Sequence, residues 1–168
     1  MLMSALKIML HKYVHQNDII VGVPVTGRNE EECQSIIGCF LNMLPIRSNI
    51  GEEQQLFDYI QAENAQVMQA LKHQDLPFDF IVEDLAVERD LLSTPIYQVV
   101  FSYETNALKN ITTKDFYIEF EELDLKKRPR LIWRWKSMMK KDGLSAWFEY
   151  KSDKFSRERI TKKSKTII

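Results

Sequence analysis

The apolar residues of this chain change period several times, and that alternation is the strongest constraint on what it can fold into. The opening MLMSALKIMLHKYV sets Leu2, Leu6, Met9 and Tyr13 at helical spacing, which predicts an amphipathic core helix. DIIVGVPV, Asp18 to Val25, is a short apolar run closing on a turn, the pattern of a buried strand. TGRNEEE then predicts a short helix around Glu31 to Ile36, its acids at the positive helix N-terminus and Gly38 at its close. CFLNMLPIR reads as a strand with an uncomfortable asparagine and proline inside it. From Glu52 to Lys72, Leu56, Ile60, Val67 and Leu71 mark one face of a long helix, and PFDFIVEDLA a brief second one with Pro77 in its first turn. PIYQVVFSYE (Pro95 to Glu104), FYIEFEEL (Phe116 to Leu123) and LSAWFEYK (Leu144 to Lys151) read as strands, the last preceded by the hairpin signal Asp142-Gly143. The coarse pattern is mixed α/β, with helices early and strands late.

At 168 residues, 45% hydrophobic and 28% charged, the chain is long enough to bury a core and fits one domain or one lobe of a larger one. Its net charge of −1 hides a gradient, because residues 151–168 carry seven basic side chains against two acidic ones. The balance as a whole points to neither nucleic acid nor an anionic membrane. Cys33 and Cys39 are too few and too local for a disulfide framework, which favours a reducing, cytoplasmic setting. The first helix is interrupted by Lys7 and Lys12, lacks a cleavage site and is too short to span a bilayer. It also starts without a capping residue, the expectation for a chain cut from something longer.

No complete catalytic constellation is present. Gly22-x-Pro24-x-x-Gly27-Arg28 lacks the strand–helix context of a nucleotide motif, so a turn with a structural arginine is the simpler reading. Asn42, set in an apolar run, must find partners or cost roughly 1–3 kcal/mol, so it either ties strands together or faces a cavity. Arg47 has the same two readings. His73 and Asp75 have no nucleophile at a recognisable motif to activate. His11 and His15 stand four apart without the glutamate of a zinc-protease helix, so no metal site is expected.

These uncomfortable residues together resemble the C-terminal lobe of condensation domains from nonribosomal peptide synthetases. HKYVHQNDIIVGVPVTGRNEEE is similar to the family's helix, strand and G-x-P-x-x-G-R turn. Ile37-Gly38-Cys39-Phe40-Leu41-Asn42-Met43-Leu44-Pro45-Ile46-Arg47 resembles I-G-x-F-V-N-T-L-x-x-R. His73-Gln74-Asp75-Leu76-Pro77-Phe78-Asp79 resembles H-Q-D-x-P-F-E, and Arg89-Asp90 with Pro95-Ile96 the core of R-D-x-S-R-N-P-L. The resemblance implies a fold of class α/β (α+β), a chloramphenicol-acetyltransferase-like architecture of two α/β lobes with a tunnel between them, this lobe being a mixed sheet flanked by helices. Carrier proteins would bring acyl or aminoacyl thioesters on phosphopantetheine arms, and an amide bond would form. No cofactor would be bound directly. Gly27, Gly38, His73, Gln74, Asp75, Pro77, Phe78, Arg89, Asp90 and Pro95 would be structural, and Arg28, Asn42 and Arg47 would line the tunnel wall or the lobe interface. The family's catalytic His-His-x-x-x-Asp-Gly motif belongs to the N-terminal lobe and does not occur in these 168 residues.

The resemblance therefore implies a partial condensation domain over residues 1–168, with the last helix truncated after FSRERI and no amide formation by the chain alone. The alternatives are a non-catalytic scaffold for carrier proteins or a partner lobe, and half of an acyltransferase that uses a coenzyme A thioester. Met43 replaces the family's threonine, and Leu92-Ser93 stands where Ser-Arg is usual. Lys126 to Lys141 holds eight basic residues and no acid, a composition unexpected of a core strand. Codons for Leu-Ile-Trp-Arg-Trp-Lys can be chosen so that reading one nucleotide earlier gives Phe-Asp-Leu-Ala-Leu-Glu, which suggests compensating frameshifts. A basic segment that docks an acidic carrier protein is the other explanation.

Overall fold

Strand β1 (Asp18–Val25) is apolar on both of its sides, and the sheet grows outward from it. The computed structural model describes residues 1–87, 93–104, 111–118, 133–140 and 143–161. On one side β1 pairs antiparallel with β2 (Asn42–Asn49), from Asp18 opposite Asn49 to Val25 opposite Asn42. On the other it runs parallel to β3 (Val99–Glu104), with Gly22 opposite Val100. A separate two-stranded ladder joins β4 (Ile111–Thr112) and β5 (Tyr117–Ile118). Strand β6 (Trp133–Lys140) returns parallel to β3, and β7 (Gly143–Tyr150) pairs antiparallel with β6. The five-stranded sheet has the order β2-β1-β3-β6-β7, the mixed sheet that the resemblance implied.

Helices α1 (Leu2–Val14) and α2 (Leu56–Lys72) supply the apolar cover. Met3, Leu6, Met9 and Leu10 join Ile19, Val21, Leu44, Ile46, Phe101, Trp133 and Trp135 in one core. Two helix faces differ from expectation. Tyr13 is exposed while Lys7 is fully buried. On α2, Leu56 is 61% exposed, and the inward residues are Tyr59 and Glu63, with Val67, Ala70 and Leu71 against the core. Lys7 and Glu63 pair with each other inside, so a charged position belongs to the buried stripe of each helix.

The expected helix at Glu31 to Ile36 is a single 3-10 segment, Glu31–Ser35, too short for α-helical bonding to propagate. The strand expected from Cys39 begins only at Asn42, where pairing with β1 starts. The strand expected from Pro95 begins at Val99, because Tyr97 N donates to Pro95 O at 2.8 Å and closes a three-residue turn. Ile96 at its centre has φ 68°, a conformation that strains a β-branched residue. Tyr97 is thereby laid against Gly22, where an added Cβ would lie 2.5 Å from its ring. Phe78, opening α3 (Phe78–Asp84), packs on Tyr97 with ring centroids 5.2 Å apart.

The largest correction concerns the basic segment. Trp133, Trp135 and Ser137 of β6 are buried, whereas Arg134 and Lys136 face outward and pair with Glu149 at 3.2 Å and Glu104 at 3.1 Å. Period-two alternation lets one strand be apolar inside and basic outside, so its composition does not exclude a central place in the sheet. Residues 126–132 lie outside the described residues, as do 119–123 of the expected Phe116–Leu123 strand, of which Tyr117–Ile118 is described. Lys140 is opposite Gly143, and the intervening residues 141 and 142 are also outside them. FSRERI does open a helical turn, at 157–161, and Ile160 is buried in the core.

Candidate functional site

Three of the singled-out segments converge beyond the end of β2. Asn42, its first residue, donates from Nδ2 to Gln74 O and Leu76 O, each at 2.8 Å, and accepts from Phe78 N at 3.1 Å. One amide thus satisfies two peptide carbonyls of the HQDLPF turn and one free N–H at the start of α3. Of the two readings open for Asn42 in the sequence, the geometry is the tying one. Asp75 accepts from Asn29 Nδ2 at 2.6 Å, which fastens the same turn to the loop after β1. His73 caps α2, its backbone N donating to Ala70 O at 3.0 Å, and Pro77, at φ −60°, precedes α3.

Arg28 organises the loop between β1 and β2. Its guanidinium donates to Cys33 O, to Ile36 O at 2.8 Å and to Gly38 O at 3.0 Å, and lies 4.3 Å from the centre of the Phe40 ring. Gly27, at φ 63°, admits this packing, because a Cβ there would meet Phe40 O at 2.1 Å. Around these ties the surface is apolar: Ile37 is fully exposed, and Ile36, Leu41, Leu76 and Phe80 are each about half exposed or more.

Arg47 stands apart, at the other end of β2. Its Nε and Nη2 bind the two oxygens of Asp18 at 2.9 and 2.8 Å, and the bonded guanidinium holds the Asp18 carboxyl below the usual carboxylate range. Pro95 is part of the turn that seats Tyr97, and Arg89 and Asp90 lie outside the described residues. His11 Nδ1 is 2.9 Å from Gln16 O, and His15 is the left-handed cap of α1. Among the described residues no cluster of three or more His, Cys, Asp or Glu is placed to hold a metal ion, and no helix is long and apolar enough to cross a membrane.

Sequence reasoning missed a buried polar cluster between α1, β2 and α2. Lys7 Nζ donates to Ile46 O at 2.9 Å and Ser48 Oγ at 2.7 Å and lies 2.7 Å from Glu63 Oε1, while Ser48 donates to Glu63 Oε2. Burial pushes the Lys7 ammonium below its ordinary value, and Glu63 pulls it back up. Beside it the Tyr59 hydroxyl is buried without a well-formed hydrogen bond, and burial together with the Glu63 charge raises it well above the ordinary tyrosine range. The one sequence signal was a lysine in the middle of the apolar stripe Leu6–Met9–Leu10.

The whole of residues 1–168 matches the family model described as Condensation domain. The chain belongs to the condensation domain family. It is 32% identical over 172 aligned positions to bacitracin synthase 1 of Bacillus licheniformis, covering 100% of this chain and 3% of that protein. It is 37% identical over 126 residues to surfactin synthase subunit 1 of Bacillus subtilis (strain 168), covering 74% and 4%. The chain thus spans a few per cent of the length of these curated relatives. Its fold superposes on holo-AB3403, a four-domain nonribosomal peptide synthetase bound to AMP and glycine, with TM-score 0.85 and 23% identity over 99% of this chain and 14% of that one. It also superposes on the X-domain in complex with OxyB from teicoplanin biosynthesis, with TM-score 0.84 and 19% identity over 99% and 37%. As a condensation domain sequence, it has the chloramphenicol-acetyltransferase-like fold that its motifs implied.

Proposed function

We propose that this chain is the C-terminal lobe of a condensation domain and serves amide formation between acyl and aminoacyl thioesters carried on phosphopantetheine arms of cytoplasmic carrier proteins. The supporting observation is the Asn42 cluster: three family motifs spend their polar groups on each other and leave Ile36, Ile37, Leu41, Leu76 and Phe80 exposed around them. An apolar patch rimmed by rigid polar ties is the chemistry of a surface that another lobe covers. Asn42 and Arg28 act there as the frame of the lobe interface, shaping the tunnel wall through the loop and turn they hold.

On this reading the general base comes from the other lobe. Attack of an amine on a thioester needs the amine placed and deprotonated and the developing oxyanion stabilised, and His73, whose backbone N–H caps α2, stands in a turn with no serine or cysteine motif beside it to activate. The reading is tested by adding loaded donor and acceptor carrier proteins to the chain alone and to the chain mixed with an N-terminal lobe carrying His-His-x-x-x-Asp-Gly. Amide product is expected only from the mixture. Turnover by the chain alone overturns the proposal.

A second reading, a binding scaffold without turnover, draws on the X-domain likeness, since that domain is seen in complex with another protein, OxyB. Saturable carrier binding with no amide from the reconstituted pair would select it.

A further inference from the structure

Helix α2 carries two apolar stripes, and the core takes one of them. The inward stripe runs through Tyr59, Val67 and Ala70. A second, made by Phe57, Ile60, Met68 and Leu71 with Asn64 at its middle, lies on another side of the helix at helical spacing. Phe57 is 67% and Met68 54% exposed, Asn64 is exposed, and Ile60 and Leu71 are half-buried.

The order of this stripe selects what covers it. From Asn64 the apolar residues stand four and seven positions away in both directions, so the pattern reads the same from either end. A second α2 turned end for end sets Phe57 against Leu71, Ile60 against Met68 and Asn64 against Asn64. An amide enclosed by an apolar partner loses its hydrogen bonds. Across a two-fold axis each carboxamide donates to the other, and one such polar residue in an apolar seam fixes register and orientation. Charge selects the same arrangement. Asp58 is in the first turn of α2, with Glu52 and Glu53 ahead of it, and Lys72 is in the last. Antiparallel pairing therefore brings acids beside a base at both ends, with the helix dipoles opposed.

We propose that this side of α2 is an isologous interface between two copies of the chain, an antiparallel helix pair with Asn64 on the two-fold axis. One helix of 17 residues, about 25 Å long, gives a small contact, so the association is weak and reversible. It is independent of amide formation and of the lobe interface around Asn42.

The test is disulfide trapping of the full chain with Cys33→Ser and Cys39→Ser, oxidised by diamide. Asn64→Cys is expected to give a covalent dimer, because its two copies meet on the axis. Phe57→Cys and Leu71→Cys are expected to give none separately, since like positions lie about 20 Å apart, and to trap each other when mixed. Met68→Lys, on an exposed position, should slow trapping at position 64 about tenfold or more and leave the urea midpoint unchanged. Lys72→Glu should slow it about threefold, and Asp58→Lys in the same chain should restore it. Ile37→Lys, which alters the patch around Asn42, should leave it in place. No trapping at position 64, trapping by Phe57→Cys alone, or trapping lost in Ile37→Lys and kept in Met68→Lys overturns the proposal, the last by assigning the contact to the patch.

Discussion

Asn42 is the residue on which three segments depend, and its side chain can be read for sign as well as size. Its Nδ2 faces two carbonyl oxygens, so Asn42→Asp would set a carboxylate against Gln74 O and Leu76 O, whereas Asn42→Ala only leaves three backbone groups unpaired. We expect Asn42→Ala to cost about 2 kcal/mol in urea unfolding and Asn42→Asp to cost more; equal losses would mean the amide is not the tie. Tyr59 supplies a pH-dependent counterpart. Its folded-state value is raised, so the folded chain keeps a proton that the unfolded chain gives up. The stabilisation is complete below the ordinary tyrosine value near 10 and is lost as pH rises above it toward the folded value. Tyr59→Phe should therefore flatten the alkaline fall in thermal midpoint that the parent chain shows. Asn42 was legible because an amide in an apolar run is out of place on sight. Tyr59 was not, because its burial depends on which way α2 is turned.

That turn is decided between elements, by the pair Lys7 and Glu63. A helix pattern is normally indexed by its apolar residues, and on that basis α2 would face inward through Leu56. The ion pair rotates the stripe, since Glu63 must meet Lys7 and Ser48. Removing one partner leaves a buried charge, which costs roughly 3–5 kcal/mol. Lys7→Met and Glu63→Leu are each expected to lose about that much in denaturant unfolding, and the double variant much less than their sum. Additive losses would show that the two do not act as a pair.

Strand β6 carries the other lesson at this scale. Its composition argued against a core strand, but its alternation did not. Reading one nucleotide earlier puts leucine at the positions of Trp133 and Trp135 and leaves polar or small residues at 134 and 136, so the in–out pattern is the same in both frames. A compensated frameshift would therefore keep the strand while enlarging its buried residues. The buried Trp135 indole N–H without a hydrogen bond is the strain such an exchange would leave. The gene sequence decides it: overlapping codons for Phe-Asp-Leu-Ala-Leu-Glu are expected, and codons incompatible with that reading exclude the frameshift.

Over the whole molecule, local pattern foretold helices early and strands late but neither the mixed sheet they form nor the order of its strands. The parallel neighbours β3 and β6 are separated by a long stretch of chain, and nothing in either strand names the other. The core nevertheless unites Met3 with Ile160 and includes side chains of β1, β2, β3 and β6, with Ala146, Phe148 and Tyr150 of β7 packed against it. A core shared this widely should unfold in one step, while the apolar surface around Asn42 stays outside it. Stability and association are then separable. Ile37, whose side chain is fully exposed, contributes nothing to the core, so Ile37→Lys should leave the urea midpoint unchanged and lower the concentration-dependent self-association that the patch favours. Sedimentation velocity over a concentration series reads the second effect and urea unfolding the first. A lowered midpoint would place Ile37 inside the folding unit. Unchanged association would mean that the patch around Asn42 is not the sticky surface, and the lobe-interface reading would lose its physical basis.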